Sequence, residues 1–172
     1  MPRVFGAACL ALLLLTGCGY HVAGKADLMP MTIHTIAISA FANKTVRYKL
    51  AERLPAELTR EFISRTRYKI VADPNAADAI LTGAVLNFTS YPTTVDPTSG
   101  RADAVQLSAF LQLTLTERAT GKVLFTRASM EVRERYEISV YVGPYFDESG
   151  PALDRLSHDV ARTVVSAILE NF

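Results

Sequence analysis

Between Val105 and Thr116 apolar and polar residues alternate, with Phe110 the one apolar residue on the polar side. Val105, Leu107, Ala109, Leu111, Leu113 and Leu115 fall on one side, with Gln106, Ser108, Phe110, Gln112, Thr114 and Thr116 on the other. Period two held this long predicts a strand with one dry and one wet face. Ala119-Thr120-Gly121 reads as a turn, and the alternation resumes beyond it. Leu124, Ala128, Met130, Val132 and Tyr136 are expected inward, with Phe125, Arg127, Ser129, Glu131, Arg133 and Arg135 outward. The pair forms a long antiparallel hairpin, roughly 40 Å tall at ~3.3 Å per residue.

Elsewhere the period changes. Thr32 to Phe41 carries Ile33, Ile36 and Ile38 and predicts a strand that ends at a turn over Ala42-Asn43-Lys44. From about Val46 to Thr66, Leu50, Leu54, Leu58 and Phe62 recur every fourth residue, and Ala51 and Ile63 widen the stripe of an amphipathic helix. Pro55 has no N–H to donate, so it kinks this helix if the start is near Val46 and costs less if the start is near Leu50. Tyr68 to Val71 is a short strand, Asp73-Pro74-Asn75 a turn, and Ala79 to Tyr91 a strand with apolar residues on both faces. Two prolines and a glycine make Pro92 to Arg101 a loop. Residues 137–148 are aromatic and irregular. Ser149-Gly150-Pro151 then opens a last helix along Leu153, Leu156, Val160, Val164 and Ile168, with Ala161 and Ala167. These elements predict an α+β fold: a two-layer sandwich, with two helices on one face of a mostly antiparallel four-stranded sheet.

The N-terminus has a different build. Arg3 precedes an apolar run from Val4 to Leu15, and Leu15-Thr16-Gly17-Cys18 follows. At ~1.5 Å per residue the run is too short to span a bilayer core of ~30 Å, but it suits a secretion signal. The segment ending in Cys18 resembles the lipobox of bacterial lipoproteins. That resemblance implies removal of residues 1–17, a diacylglycerol thioether and an N-acyl chain on Cys18, a tether over residues 18–31, and one domain over 32–172. Several acyl chains make such an anchor effectively permanent. Gly19 stands where an Asp would signal inner-membrane retention, so the outer membrane is expected.

Composition narrows the chemistry. Cys9 leaves with the signal and Cys18 is consumed by lipid, so neither disulfide nor thiolate chemistry is expected. Without Arg3 the 18 basic residues become 17, matching the 17 acidic ones. That balance argues against nucleic-acid binding. His21, His34 and His158 show no metal-ligand spacing, and nucleophile elbows, phosphate loops and zinc-protease signatures are missing. Asp147 and Glu148 precede a helix start, where negative charge is favoured in any case. No cofactor and no enzymatic activity are expected.

What remains is surface. Arg127, Arg133 and Arg135 are expected on one strand face, with Arg101 in the loop leading into the hairpin. The guanidinium fork suits phosphate and carboxylate, although Glu131 and Glu117 are positioned to pair off part of that charge.

Several segments, in order, resemble the LptE family of lipopolysaccharide-assembly lipoproteins. They are Cys18-Gly19-Tyr20-His21, Ile36 to Thr45 running into the first helix, Arg67 to Val71, Ala77 to Gly83, and the small and aliphatic stretch from Leu156 to Phe172. The resemblance covers nearly all of residues 18–172. It implies an outer-membrane lipoprotein, on the periplasmic side or inside a barrel lumen, that plugs and helps assemble the LptD β-barrel and contacts lipopolysaccharide (LPS) during export. Arg101, Arg127, Arg133 and Arg135 are its candidate LPS contacts. A lipoprotein of another secretion or cell-envelope assembly, with a similar two-layer domain, stays open as the alternative.

Overall fold

The computed structural model describes residues 29–137 and 149–171. The signal peptide, Cys18, most of the tether and the aromatic stretch 138–148 lie outside them. Among the described residues, six strands and two α-helices follow in the order β1 (Thr35–Ile38), β2 (Ala42–Asn43), α1 (Lys49–Arg65), β3 (Lys69–Val71), β4 (Ala79–Val95), β5 (Ala102–Glu117), β6 (Val123–Glu137) and α2 (Ser149–Glu170). A single 3₁₀ turn, Pro74–Ala76, separates β3 from β4, and Asp73 caps it by accepting from Asn75 N at 2.9 Å.

The sheet has six strands rather than the expected four. Its order is β3-β1-β4-β5-β6, and β2 pairs with β4 off that path. β4, β5 and β6 form a long antiparallel meander, whereas β1 runs parallel to both β3 and β4, and β2 runs parallel to β4. Parallel neighbours need a crossover connection, and α1 supplies it between β1 and β3. The expected turn at Ala42-Asn43 is instead the strand β2, opposite Ala84 and Val85. The chain turns just after it, where Asn43 Oδ1 accepts from Thr45 N at 3.1 Å.

β5 alternates as expected: Val105, Leu107, Ala109, Leu111, Leu113 and Leu115 are all buried. Leu81 and Val85 of β4 stand opposite Leu115 and Leu111 on the same face. The stripes Leu50, Leu54, Leu58 and Phe62 of α1 and Leu156, Val160, Val164 and Ile168 of α2 join those strands in one buried cluster. α1 starts at Lys49, which leaves Pro55 inside the helix, where its carbonyl accepts from Thr59 Oγ1 at 2.8 Å. Ile63 does not belong to the stripe; it is 62% exposed, and the buried neighbour of Phe62 is Glu61. Arg65 pairs with Glu61 at 3.2 Å and donates to Ser166 Oγ at 2.8 Å, tying the C-terminal ends of the helices together. The last residues of the expected tether already belong to the body, since Met29 is buried in the core.

At the start of β1, Asp78 Oδ2 accepts from His34 N, Thr35 N and Thr35 Oγ1, each at 2.9 Å. Asp78 N donates back to Thr35 Oγ1 at 2.8 Å, so the two chain segments clasp each other. Three donors on one carboxylate stabilise its charged form. The His34 backbone bond, then the Thr35 bonds, hold the Asp78 pKa below its ordinary value.

Candidate functional site

β1 and β2 pair with β4 only over residues 79–85. Beyond Val85, β4, β5 and β6 continue as a three-stranded platform, and β4 runs through Pro92 to Val95, where a loop was expected. With 16 residues in β5, the platform and its base reach roughly 50 Å.

Residues opposite each other in neighbouring strands share a face, so the register defines what the platform presents away from the core. One row is Tyr91, Gln106 and Arg135; the next is Thr89, Ser108 and Arg133; a third is Asn87, Phe110 and Glu131. Gln106 Nε2 donates to the Tyr91 hydroxyl at 2.7 Å, and Arg135 reaches Thr94 Oγ1 at 3.4 Å. Arg133 engages Glu131 with both arms of its fork, Nε to Oε1 and Nη2 to Oε2, each at 2.8 Å. This pairing lowers the Glu131 pKa and raises that of Arg133. Ser108 sits beneath the pair and is buried, although its position in the alternation reads as outward.

The four arginines are not one patch. Arg133 and Arg135 share the outer face as expected. Arg101 closes the β4–β5 turn, where its carbonyl accepts from Asp96 N at 2.9 Å and its side chain is exposed. Asp96 braces that turn by accepting from Ser99 Oγ at 2.7 Å and Thr98 N at 2.8 Å, bonds that lower its pKa. Gly100, with φ of 69°, supplies the left-handed residue the turn requires.

Arg127 is a correction. A register shift lies between the pairs Leu113–Arg127 and Leu111–Met130, so Ala128 and Ser129 together face one residue of β5. One extra residue reverses the face of everything beyond it. Arg127 and Phe125 therefore share the face of Leu113 and Leu115, not that of Arg133. Phe125 is buried, the expected inward Ala128 is exposed, and Arg127 lies over the Phe125 ring at 5.4 Å. Arg127 and Arg133 are also six positions apart, about 20 Å along an edge strand.

The outer face thus combines Arg135, which makes no ion pair among the described residues, the paired Arg133, the rings of Tyr91 and Phe110, and neutral hydrogen-bonding groups. From the sequence Tyr91 reads as the end of a strand with no face assigned to it, and Thr94 is missed because Pro92 and the following threonines signal a loop. Among the described residues no group of three His, Cys, Asp or Glu side chains is placed to hold a metal ion, and no helix is long and apolar enough to cross a membrane.

Solved structures share the architecture at low identity. The uncharacterized lipoprotein B of Nitrosomonas europaea matches with a TM-score of 0.55 and 15% identity, over 88% of this chain and 96% of that one. Protein XCC0632 of Xanthomonas campestris matches with a TM-score of 0.55 and 14% identity, over 83% and 90%. At such identities these matches establish the fold alone. No curated protein matches this chain significantly in sequence. The family model for LptE, described as lipopolysaccharide-assembly, matches residues 33–168, from before β1 nearly to the end of α2. With that match spanning most of the chain, the chain belongs to the LptE family of lipopolysaccharide assembly.

Proposed function

We propose that this protein is an outer-membrane lipoprotein of LPS export. Acyl chains on Cys18 anchor it, and its two-layer body plugs and helps assemble an LptD-like β-barrel while contacting LPS. The family match over residues 33–168 carries this reading. The chemistry of the platform supports it. A face made of Tyr91, Gln106, Thr89, Phe110 and Asn87 is covered by a barrel wall at little cost, because its polar groups can be re-bonded and its charges are few. Arg135 and Arg133 on that face, and Arg101 at its tip, are the proposed contacts for LPS phosphates. Arg127, on the other face, is assigned to a separate surface.

Depletion of the protein tests the reading. Loss of LPS from the cell surface, with sensitivity to hydrophobic antibiotics, is expected. An unaltered LPS layer in depleted cells would contradict it and favour a lipoprotein of a different envelope assembly.

A further inference from the structure

On the core side of the platform, where the helices begin, lies a cavity of about 290 Å³. Its apolar wall is formed by Leu50 of α1, Leu153 of α2, and Leu107 and Phe88 of the sheet. Arg47, Lys49 and Arg53 stand around it. Arg53 is engaged by Asp154, but among the described residues neither Arg47 nor Lys49 makes an ion pair. Arg47 is held in place: its N–H donates to Thr45 Oγ1 at 3.0 Å, and its guanidinium lies 5.5 Å from the centre of the Phe88 ring. Cations thus border an apolar hollow on a chain of nearly balanced charge.

We propose that this cavity binds a single-chain anionic amphiphile: one acyl or alkyl chain ending in a carboxylate or phosphate. Arg47 and Lys49 take the head, and Leu50, Leu107, Leu153 and Phe88 take the chain. Charge complementarity selects an anionic head, and the apolar wall selects a hydrocarbon tail. Size sets the limit of one chain, since ligand pockets range over about 300–1,000 Å³ and this one lies just below that range. A multiply acylated glycolipid does not fit inside it. The site lies on the face opposite Arg133 and Arg135 and is independent of the LPS contacts proposed for them.

The test uses the chain from residue 18 onward with Cys18→Ser, which removes the lipid attachment and contains every described residue. Dodecyl phosphate and dodecanoate, below their micelle concentrations, are titrated by calorimetry and by NMR of leucine methyls. Dodecyl maltoside and inorganic phosphate serve as the tail-only and head-only controls. Saturable binding of at least one anionic probe is expected, with shifts at Leu50, Leu107 and Leu153 and binding of neither control. The tighter probe separates a fatty acid from a single-chain (lyso) phospholipid source. Arg47→Gln with Lys49→Gln is expected to weaken binding by about tenfold or more with an unchanged melting temperature. Arg133→Glu with Arg135→Glu is expected to change nothing here. A methyl at Gly150 meets no atom of the described residues within 4 Å, so Gly150→Leu projects toward the cavity wall and is expected to reduce binding in a folded protein. Three results overturn the proposal: equal binding of the neutral glycoside, full affinity in the folded Arg47/Lys49 variant, or no saturable binding of either anionic probe.

Discussion

Arg127 stands directly opposite Leu113, on the face of the sheet that carries the core, although the alternation read from the sequence sets it beside Arg133. The register shift over Ala128 and Ser129 is the cause. It divides β6 into a half whose arginine rests on Phe125 and a half whose arginines look away from the core.

The first prediction uses that division. Arg133→Glu with Arg135→Glu is expected to lower LPS affinity by about tenfold or more while the domain stays folded, since each loses a charge-assisted contact. Arg127→Glu is expected to leave the affinity within about twofold, as expected for an exposed charge outside the contact face. LPS binding to the three proteins, with circular dichroism as the folding control, checks both. Equal losses in the two variants would remove the distinction between the faces.

Glu131 competes with any anion for Arg133. Glu131→Gln should release the fork and strengthen phosphate or LPS binding by up to about fivefold, the range set by an exposed ion pair. The gain should vanish when Arg133→Gln is added. A loss of affinity in the single variant would show that Glu131 positions Arg133 instead of occupying it.

The clasp between Asp78 and Thr35 gives a prediction in stability. Asp78→Ala removes a partly buried carboxylate that takes three donors and is expected to cost about 1–3 kcal/mol. Because the folded pKa lies below the ordinary 3.8, this contribution is fully present above the unfolded value and is lost as pH falls through the folded one. Denaturant melts from pH 6 down toward pH 2 should therefore converge for the two proteins at the acid end. A difference independent of pH would assign the cost to packing.

Gly83 faces Leu113 on the core side of β4, with the buried Phe41 ring directly over it. A methyl there would lie 2.6 Å from Phe41 Cζ. Gly83→Ala is expected to destabilise the domain by about 1–3 kcal/mol through overpacking. Phe41→Leu added to Gly83→Ala should recover part of the loss. Chemical denaturation of the two variants measures both effects.

How far the sequence reaches is visible element by element. The stripes Leu50-Leu54-Leu58-Phe62 and Leu156-Val160-Val164-Ile168, and the alternation of β5, are readable because burial on one face imposes a period. The α1 stripe misleads only at Ile63, which hydropathy alone puts inside. The bulge in β6 has no such signature: small Ala128 and polar Ser129 fit the alternation as written, and only pairing with β5 shows that both meet one residue. β2 is hidden because two residues carry no period, and it exists only through its parallel bonds to Ala84 and Val85. Pro92 reads as a breaker, yet it belongs to the part of β4 that β1 and β2 leave unpaired on one side, where a missing N–H is tolerated. The arginine types were legible from sequence, but their grouping was not, because grouping depends on register.

The proposed function requires a lipid-anchored body that works inside a larger envelope assembly. Purification of the affinity-tagged protein from outer membranes in mild detergent tests this most directly. A large β-barrel protein should co-purify with it in a stable complex. Recovery of the protein as a monomer, with no barrel partner, would contradict the account.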